Sequence, residues 1–117
     1  MNEPYIYKAI IRSVYDGDTV TADIDLGFNT WINNAKLRLY GINTPEMRGV
    51  SPEEKARAIK ARDWVREKIL NKEVIIKSLG KGKYGRYLSI IWTIEEGAVS
   101  EDTINDELIK LGMAEKY

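Results

Sequence analysis

The four residues Ser51-Pro52-Glu53-Glu54 constrain the fold more than any other stretch of the chain. Serine supplies an N-cap, proline occupies the first helical position, where its missing N–H is no loss, and glutamate at the third completes a capping box. A helix must begin here. Ala58, Ala61, Val65 and Ile69 recur at three- and four-residue steps with Trp64 alongside, whereas Lys55, Arg62 and Arg66 fall on the other side, so one face packs and the other meets solvent. Asn71, after the last apolar pair, suits the left-handed conformation that ends a helix.

The sequence on both sides of this helix is patterned as strands. Tyr5 to Val14 is rich in β-branched and aromatic residues and breaks at Tyr15-Asp16-Gly17-Asp18. Thr19 to Leu26 alternates, with Val20, Ala22, Ile24 and Leu26 opposed to Thr21, Asp23 and Asp25, and Gly27 to Thr30 turns the chain into a third strand from Trp31 to Tyr40. Beyond the helix, Glu73 to Leu79 and Tyr87 to Thr93 read as strands joined by the flexible basic loop Gly80-Lys81-Gly82-Lys83-Tyr84-Gly85. Ile104, Leu108 and Leu111 suggest a short helix from about Glu101 to Leu111, stopped by Gly112. Three strands, a long helix, two strands and a short C-terminal helix make an α+β chain that is mainly β. That order is compatible with a five-stranded closed barrel of the oligonucleotide/oligosaccharide-binding (OB) type, and other α+β folds share it.

A chain of 117 residues is expected to form a single domain, residues 1–117. No window approaches the roughly eighteen apolar residues of a membrane span. Met1-Asn2-Glu3-Pro4 shows neither the basic nor the apolar region of a secretory signal, which predicts a cytoplasmic protein or a mature secreted form. The chain contains no cysteine and no histidine, so any metal must be held by oxygen. Net charge is zero but unevenly distributed: Arg66 to Tyr87 carries seven basic residues against two acidic, and from Leu88 onward seven acidic face two basic. A polyanion would be drawn to the first region and repelled by the second.

Chemistry concentrates where strands end. Leu37 and Leu39 alternate with Arg38 and Tyr40, directing Arg38 away from the apolar face, and Gly41 followed by Asn43-Thr44-Pro45 makes a stiff exit turn that carries Glu46. Asp18 and the oxygens of Asn43 and Thr44 suit a hard cation such as calcium, which accepts carboxylate, amide and carbonyl ligands, and Arg38 and Arg86 suit forked hydrogen bonds to phosphate. Each residue also has a plainer reading: Asp16 and Asp18 flank Gly17 as turn residues do, the arginines serve as solvated side chains, and Tyr84 as a core aromatic.

Taken together, Val14-Tyr15-Asp16-Gly17-Asp18-Thr19-Val20, Arg38-Leu39-Tyr40-Gly41-Ile42-Asn43-Thr44-Pro45-Glu46 and Lys83-Tyr84-Gly85-Arg86-Tyr87-Leu88 resemble, in order and separation, the three signature blocks of the staphylococcal nuclease family. The segment Asn105 to Ala114 also resembles that family's segment after the fifth strand. The resemblance implies an OB-like barrel and a calcium-dependent phosphodiesterase that cuts DNA and RNA with little sequence preference, another divalent cation being possible, in a chain expected to be monomeric. By position, Arg38 and Arg86 match the phosphate-binding arginines and Glu46 the acid that activates water. Asp18 matches a metal carboxylate, Thr44 a residue whose backbone carbonyl binds the metal, and Lys83 and Tyr84 the pair near the substrate's terminal phosphate. Asn43 stands where the best-studied members carry a second metal-binding aspartate, which keeps an oxygen and removes a charge. The alternative implied by that departure is a catalytically weakened module that binds nucleic acid or a protein partner.

Overall fold

The computed structural model describes residues 5–117. Strands β1 (Ile6–Asp16), β2 (Thr19–Asp25) and β3 (Trp31–Leu39) form an antiparallel meander, with Val20 opposite both Val14 and Leu37. The short β4 (Ile42–Asn43) and the helix α1 (Pro52–Ile69) lead into β5 (Glu73–Lys81) and β6 (Tyr87–Glu95), which pair antiparallel. Strand β5 also pairs antiparallel with β1, and the first residues of β6 lie parallel to β3, from Leu37 opposite Tyr87 to Leu39 opposite Ser89. That last pairing closes a barrel of five strands, the expected OB architecture.

The alternation that marks the strands is also what fills the barrel. Ile11, Val20, Leu37, Leu39, Val74, Ile76 and Ile91 are fully buried, and each contributes about 1.5–3 kcal/mol by leaving water. Helix α1 starts as its sequence dictates, with the Ser51 hydroxyl accepting the Glu54 N–H at 3.2 Å. Its buried stripe is Ala58, Ala61, Val65 and Ile69. Alanines at two of those places let the helix lie close to the β1–β2 turn, where a Cβ added to Gly17 would sit 2.6 Å from Thr44 Cγ2 and 3.0 Å from Ala61 Cβ. Asn71 adopts φ +59° and donates its N–H to Ile11 O at 2.7 Å, tying the helix end to the barrel.

The C-terminal third differs from expectation at one boundary. Residues Glu101 to Thr103, expected to open the last helix, belong instead to a strand, β7 (Ala98–Thr103), which pairs with the second half of β6 after a turn at Glu96-Gly97 with positive φ at both residues. Thr103 pairs with Trp92 on the edge of β6, the Ser100 hydroxyl donates to Asp102 O at 2.9 Å across the irregularity before it, and helix α2 (Ile104–Lys110) begins only where the Thr103 hydroxyl accepts the Asp106 N–H at 3.0 Å. The basic loop is also shorter than expected, because β5 runs on to Lys81 and Lys83–Gly85 forms a single 3-10 turn. Asn105 fastens α2 to the barrel: its amide donates to Tyr40 O and Ser89 O and accepts from Ile91 N. Leaving those buried groups unpaired would cost about 1–3 kcal/mol each. A last strand, β8 (Glu115–Lys116), pairs with β4. Among the described residues no helix is long and apolar enough to cross a membrane.

Candidate functional site

A groove of about 640 Å³ opens on the outer face of β2 and β3, where the β1–β2 turn, the exit of β3 and the start of β6 meet. Its floor is set by strand register. Thr19 lies opposite Arg38 and Thr21 opposite Lys36, so the period of two that buries Val20 and Leu37 turns these four polar side chains outward together.

Asp18 sits at the centre and is almost fully buried. Its Oδ2 accepts the Thr44 N–H at 3.1 Å and lies 3.4 Å from Arg38 Nη2, while Oδ1 accepts the Thr19 hydroxyl at 3.1 Å. The same Arg38 Nη2 donates to Asn43 Oδ1 at 2.6 Å, and Nη1 donates to Leu39 O at 2.8 Å. Thus the Asp18 carboxylate and the Asn43 amide oxygen face one point, which the Arg38 guanidinium fills. Thr44 is buried beneath it, and its hydroxyl oxygen has no hydrogen-bond partner among the described residues.

Asp16 lies beside Asp18 and accepts its backbone N–H at 3.0 Å. Burial, then the hydrogen bond and the like charge of Asp18, push the Asp16 carboxyl from its ordinary 3.8 up to about 7. A divalent cation beside the pair would reverse that repulsion, and every candidate donor is an oxygen, so the donor set fits a hard cation. Among the described residues no group of three or more acidic side chains is placed to hold a metal ion, so neutral oxygens would have to complete such a site.

Arg86 reaches the groove from the other side. Its Nη1 lies 3.5 Å from Thr19 Oγ1, and its buried Nε has no partner among the described residues. A guanidinium has five donors in a fixed fork, so this one is poised for an anion. The exposed Tyr84, at φ +61°, places its ring 5.6 Å from the Arg86 guanidinium carbon. Glu46 lines the groove, within reach of solvent.

Of the residues singled out from sequence, Asp18, Arg38, Asn43, Glu46, Tyr84 and Arg86 line one groove, and Thr44 supports its floor. Lys83 is exposed and does not line it. Thr19 and Lys36 were missed, although the alternation of both strands already assigned them to the face of Arg38. The basic segment from Arg66 to Tyr87 does not form one face: Lys68 lies over the Trp64 ring and Lys72 Nζ bonds Glu67 O, whereas Arg66 and Arg86 line separate grooves.

The family model described as Staphylococcal nuclease homologue matches residues 36–117, which include the end of β3 from Lys36, the Asn43 to Glu46 turn and Arg86. Comparison with curated proteins gave no match.

Proposed function

The chain belongs to the staphylococcal nuclease homologue family, and we propose that it is a calcium-dependent nuclease that hydrolyses phosphodiester bonds of DNA or RNA with little sequence preference. One observation carries this reading: Arg86, with a buried donor left open, shares a groove with Arg38, Glu46 and the Asp18 carboxylate.

In the proposed reaction the two arginines grip the non-bridging oxygens of the scissile phosphate, Arg86 through its open donors and Arg38 by exchanging the Asn43 amide for phosphate. Glu46, held by the stiff turn after Pro45, takes a proton from the water whose oxygen attacks phosphorus. The ester P–O bond breaks as the new one forms, and the departing alkoxide collects its proton from solvent. Asp18, Asn43 and the Thr44 carbonyl, with Asp16 adjacent, would hold calcium, which when bound supplies further positive charge to the phosphate oxygens. Tyr84 would flank the neighbouring nucleotide, and Lys83 would meet a terminal phosphate outside the groove.

A second reading, a binding module without catalysis, has one observation in its favour: the neutral Asn43 is bonded to Arg38. An assay on single-stranded DNA with calcium supplied or chelated separates the two. Calcium-dependent cleavage that chelator abolishes supports the nuclease. Binding without cleavage under any divalent cation supports the module, and cleavage undiminished in excess chelator removes the metal from the proposal.

A further inference from the structure

A second groove, of about 510 Å³, adjoins the first and shares Ser13 and Tyr15 with it. It runs between the end of β1 and α1 and is lined by Arg48, Lys55, Arg62 and Arg66, with no acidic side chain in its wall. The helix sets this arrangement: residues 55, 62 and 66 recur at steps of seven and four, which returns them to one stripe beside the buried alanines. At about 1.5 Å rise per residue that stripe is about 16 Å long.

Two of these cations have nothing to neutralise them. The side chains of Arg48 and Lys55 form no ion pair or hydrogen bond among the described residues. Arg66 donates to Val14 O at 3.1 Å, which fixes its head against β1, and Arg62 bonds the exposed Asp63, a surface pairing worth little against a phosphate. On the other side of Glu46, the groove toward the C-terminus is lined by Glu46, Glu54 and Glu115 against Arg57 and Lys60. A polyanion leaving the catalytic groove therefore meets attraction in one direction and net negative charge in the other.

We propose that the groove between β1 and α1 is an extended phosphate-binding track, which takes the continuation of a single-stranded nucleic acid whose scissile phosphate lies at Arg38 and Arg86. This inference rests on the nuclease reading for the position of the scissile phosphate. Tyr15, 56% exposed at the junction of the two grooves, offers a ring face on which a base can stack as the strand crosses. The stripe is long enough for several phosphates, which in a stacked strand are about 3.4 Å apart along the axis. The enzyme would thus prefer internal bonds of long strands to short oligonucleotides.

The test compares wild type with the double variant Arg48→Gln/Lys55→Gln, two residues whose loss breaks no hydrogen bond or ion pair among the described residues. Binding is measured in chelator, where the substrate stays intact, using fluorescently labelled oligothymidylate long enough to span both grooves and labelled dithymidylate. The variant should bind the long strand about tenfold more weakly at ~0.1 M salt, and the slope of log affinity against log salt should fall by about 1.4, or about 0.7 per lost phosphate contact. Its binding of dithymidylate should be unchanged. Equal affinity and slope for the long strand in both proteins would overturn the track and leave the nuclease reading standing. If the long strand binds with the expected difference but wild type never cleaves it with calcium, the nuclease reading fails and the track stands.

Discussion

Arg38 Nη2 donates to Asn43 Oδ1 at 2.6 Å, across the exit turn of β3. The same nitrogen lies 3.4 Å from Asp18 Oδ2, so a guanidinium holds the two oxygens that a cation would need. Because the residue at 43 is a neutral amide, Arg38 is tied there by a hydrogen bond and not by a second ion pair, and it can be released to a phosphate more readily.

Replacing Asn43 with aspartate would add a unit charge at nearly constant shape. A divalent cation at about 4 Å gains about 2 kcal/mol from one more charge even in water, and the strengthened pair with Arg38 offsets part of it. Asn43→Asp should therefore bind calcium roughly tenfold more tightly and cleave faster at low calcium, with the gain shrinking at saturation. Titration calorimetry on both proteins at one ionic strength checks this, and equal or weaker binding by the variant would favour the non-catalytic reading.

Glu46→Gln keeps size and removes the proton acceptor. Glu46 stands at the groove surface outside the packed core, so folding should be unaffected while turnover falls by about a hundredfold to ten-thousandfold. Single-turnover cleavage of single-stranded DNA at saturating calcium, with unfolding curves as the control, measures both. Wild-type turnover in the variant would take Glu46 out of the mechanism.

Gly17→Ala would drive a methyl group to 2.6 Å from Thr44 Cγ2 and 3.0 Å from Ala61 Cβ, at the junction of the β1–β2 turn, the exit turn and α1. Overpacking there should cost about 1–3 kcal/mol and displace Thr44, whose N–H holds the Asp18 carboxylate. Urea denaturation should show the lower midpoint, and cleavage at a temperature where the variant is folded should still be reduced. Unchanged stability would mean that the turn yields without strain.

Asp16 makes stability depend on pH. Its folded-state value is raised from 3.8 to about 7, so below about pH 4 both states carry the proton, and between about pH 4 and pH 7 the unfolded chain loses it while the folded one keeps it. The stability that Asp16 contributes in acid is therefore lost as pH rises toward 7 and stays lost above it. Asp16→Asn does not titrate. In chelator, the denaturation midpoint of the variant should gain on that of wild type from about pH 4 to about pH 7 and then run parallel to it. A difference between the two that stays constant over the whole range would show that folding does not raise the Asp16 carboxyl.

Local physics is what the sequence determined. The N-cap at Ser51, the alanine and valine stripe of α1, the left-handed Asn71 and the alternation of β2 and β3 depend on neighbours within one or two turns of chain, and all appear where the residues put them. The same alternation was enough to place Arg38 outward, and the turn chemistry around Gly17 and Pro45 was enough to put Asp18 and Glu46 near strand ends. Tertiary structure decided what depends on a distant partner. The spacing of Ile104, Leu108 and Leu111 extends a helix back to about Glu101, yet Glu101 to Thr103 become strand because β6 offers an unpaired edge to β7, and the parallel pairing of Leu37 with Tyr87 that closes the barrel joins residues fifty positions apart. That closure brings Arg86 to Thr19 with one donor left open, leaves Lys83 outside the groove, and lets Arg38 choose Asn43 and Asp18 among its neighbours. The basic track was legible only in part: helical spacing already grouped Lys55, Arg62 and Arg66, but Arg48 joins them only when α1 lies against the end of β1, whereas the segment richest in positive charge is dispersed over several faces.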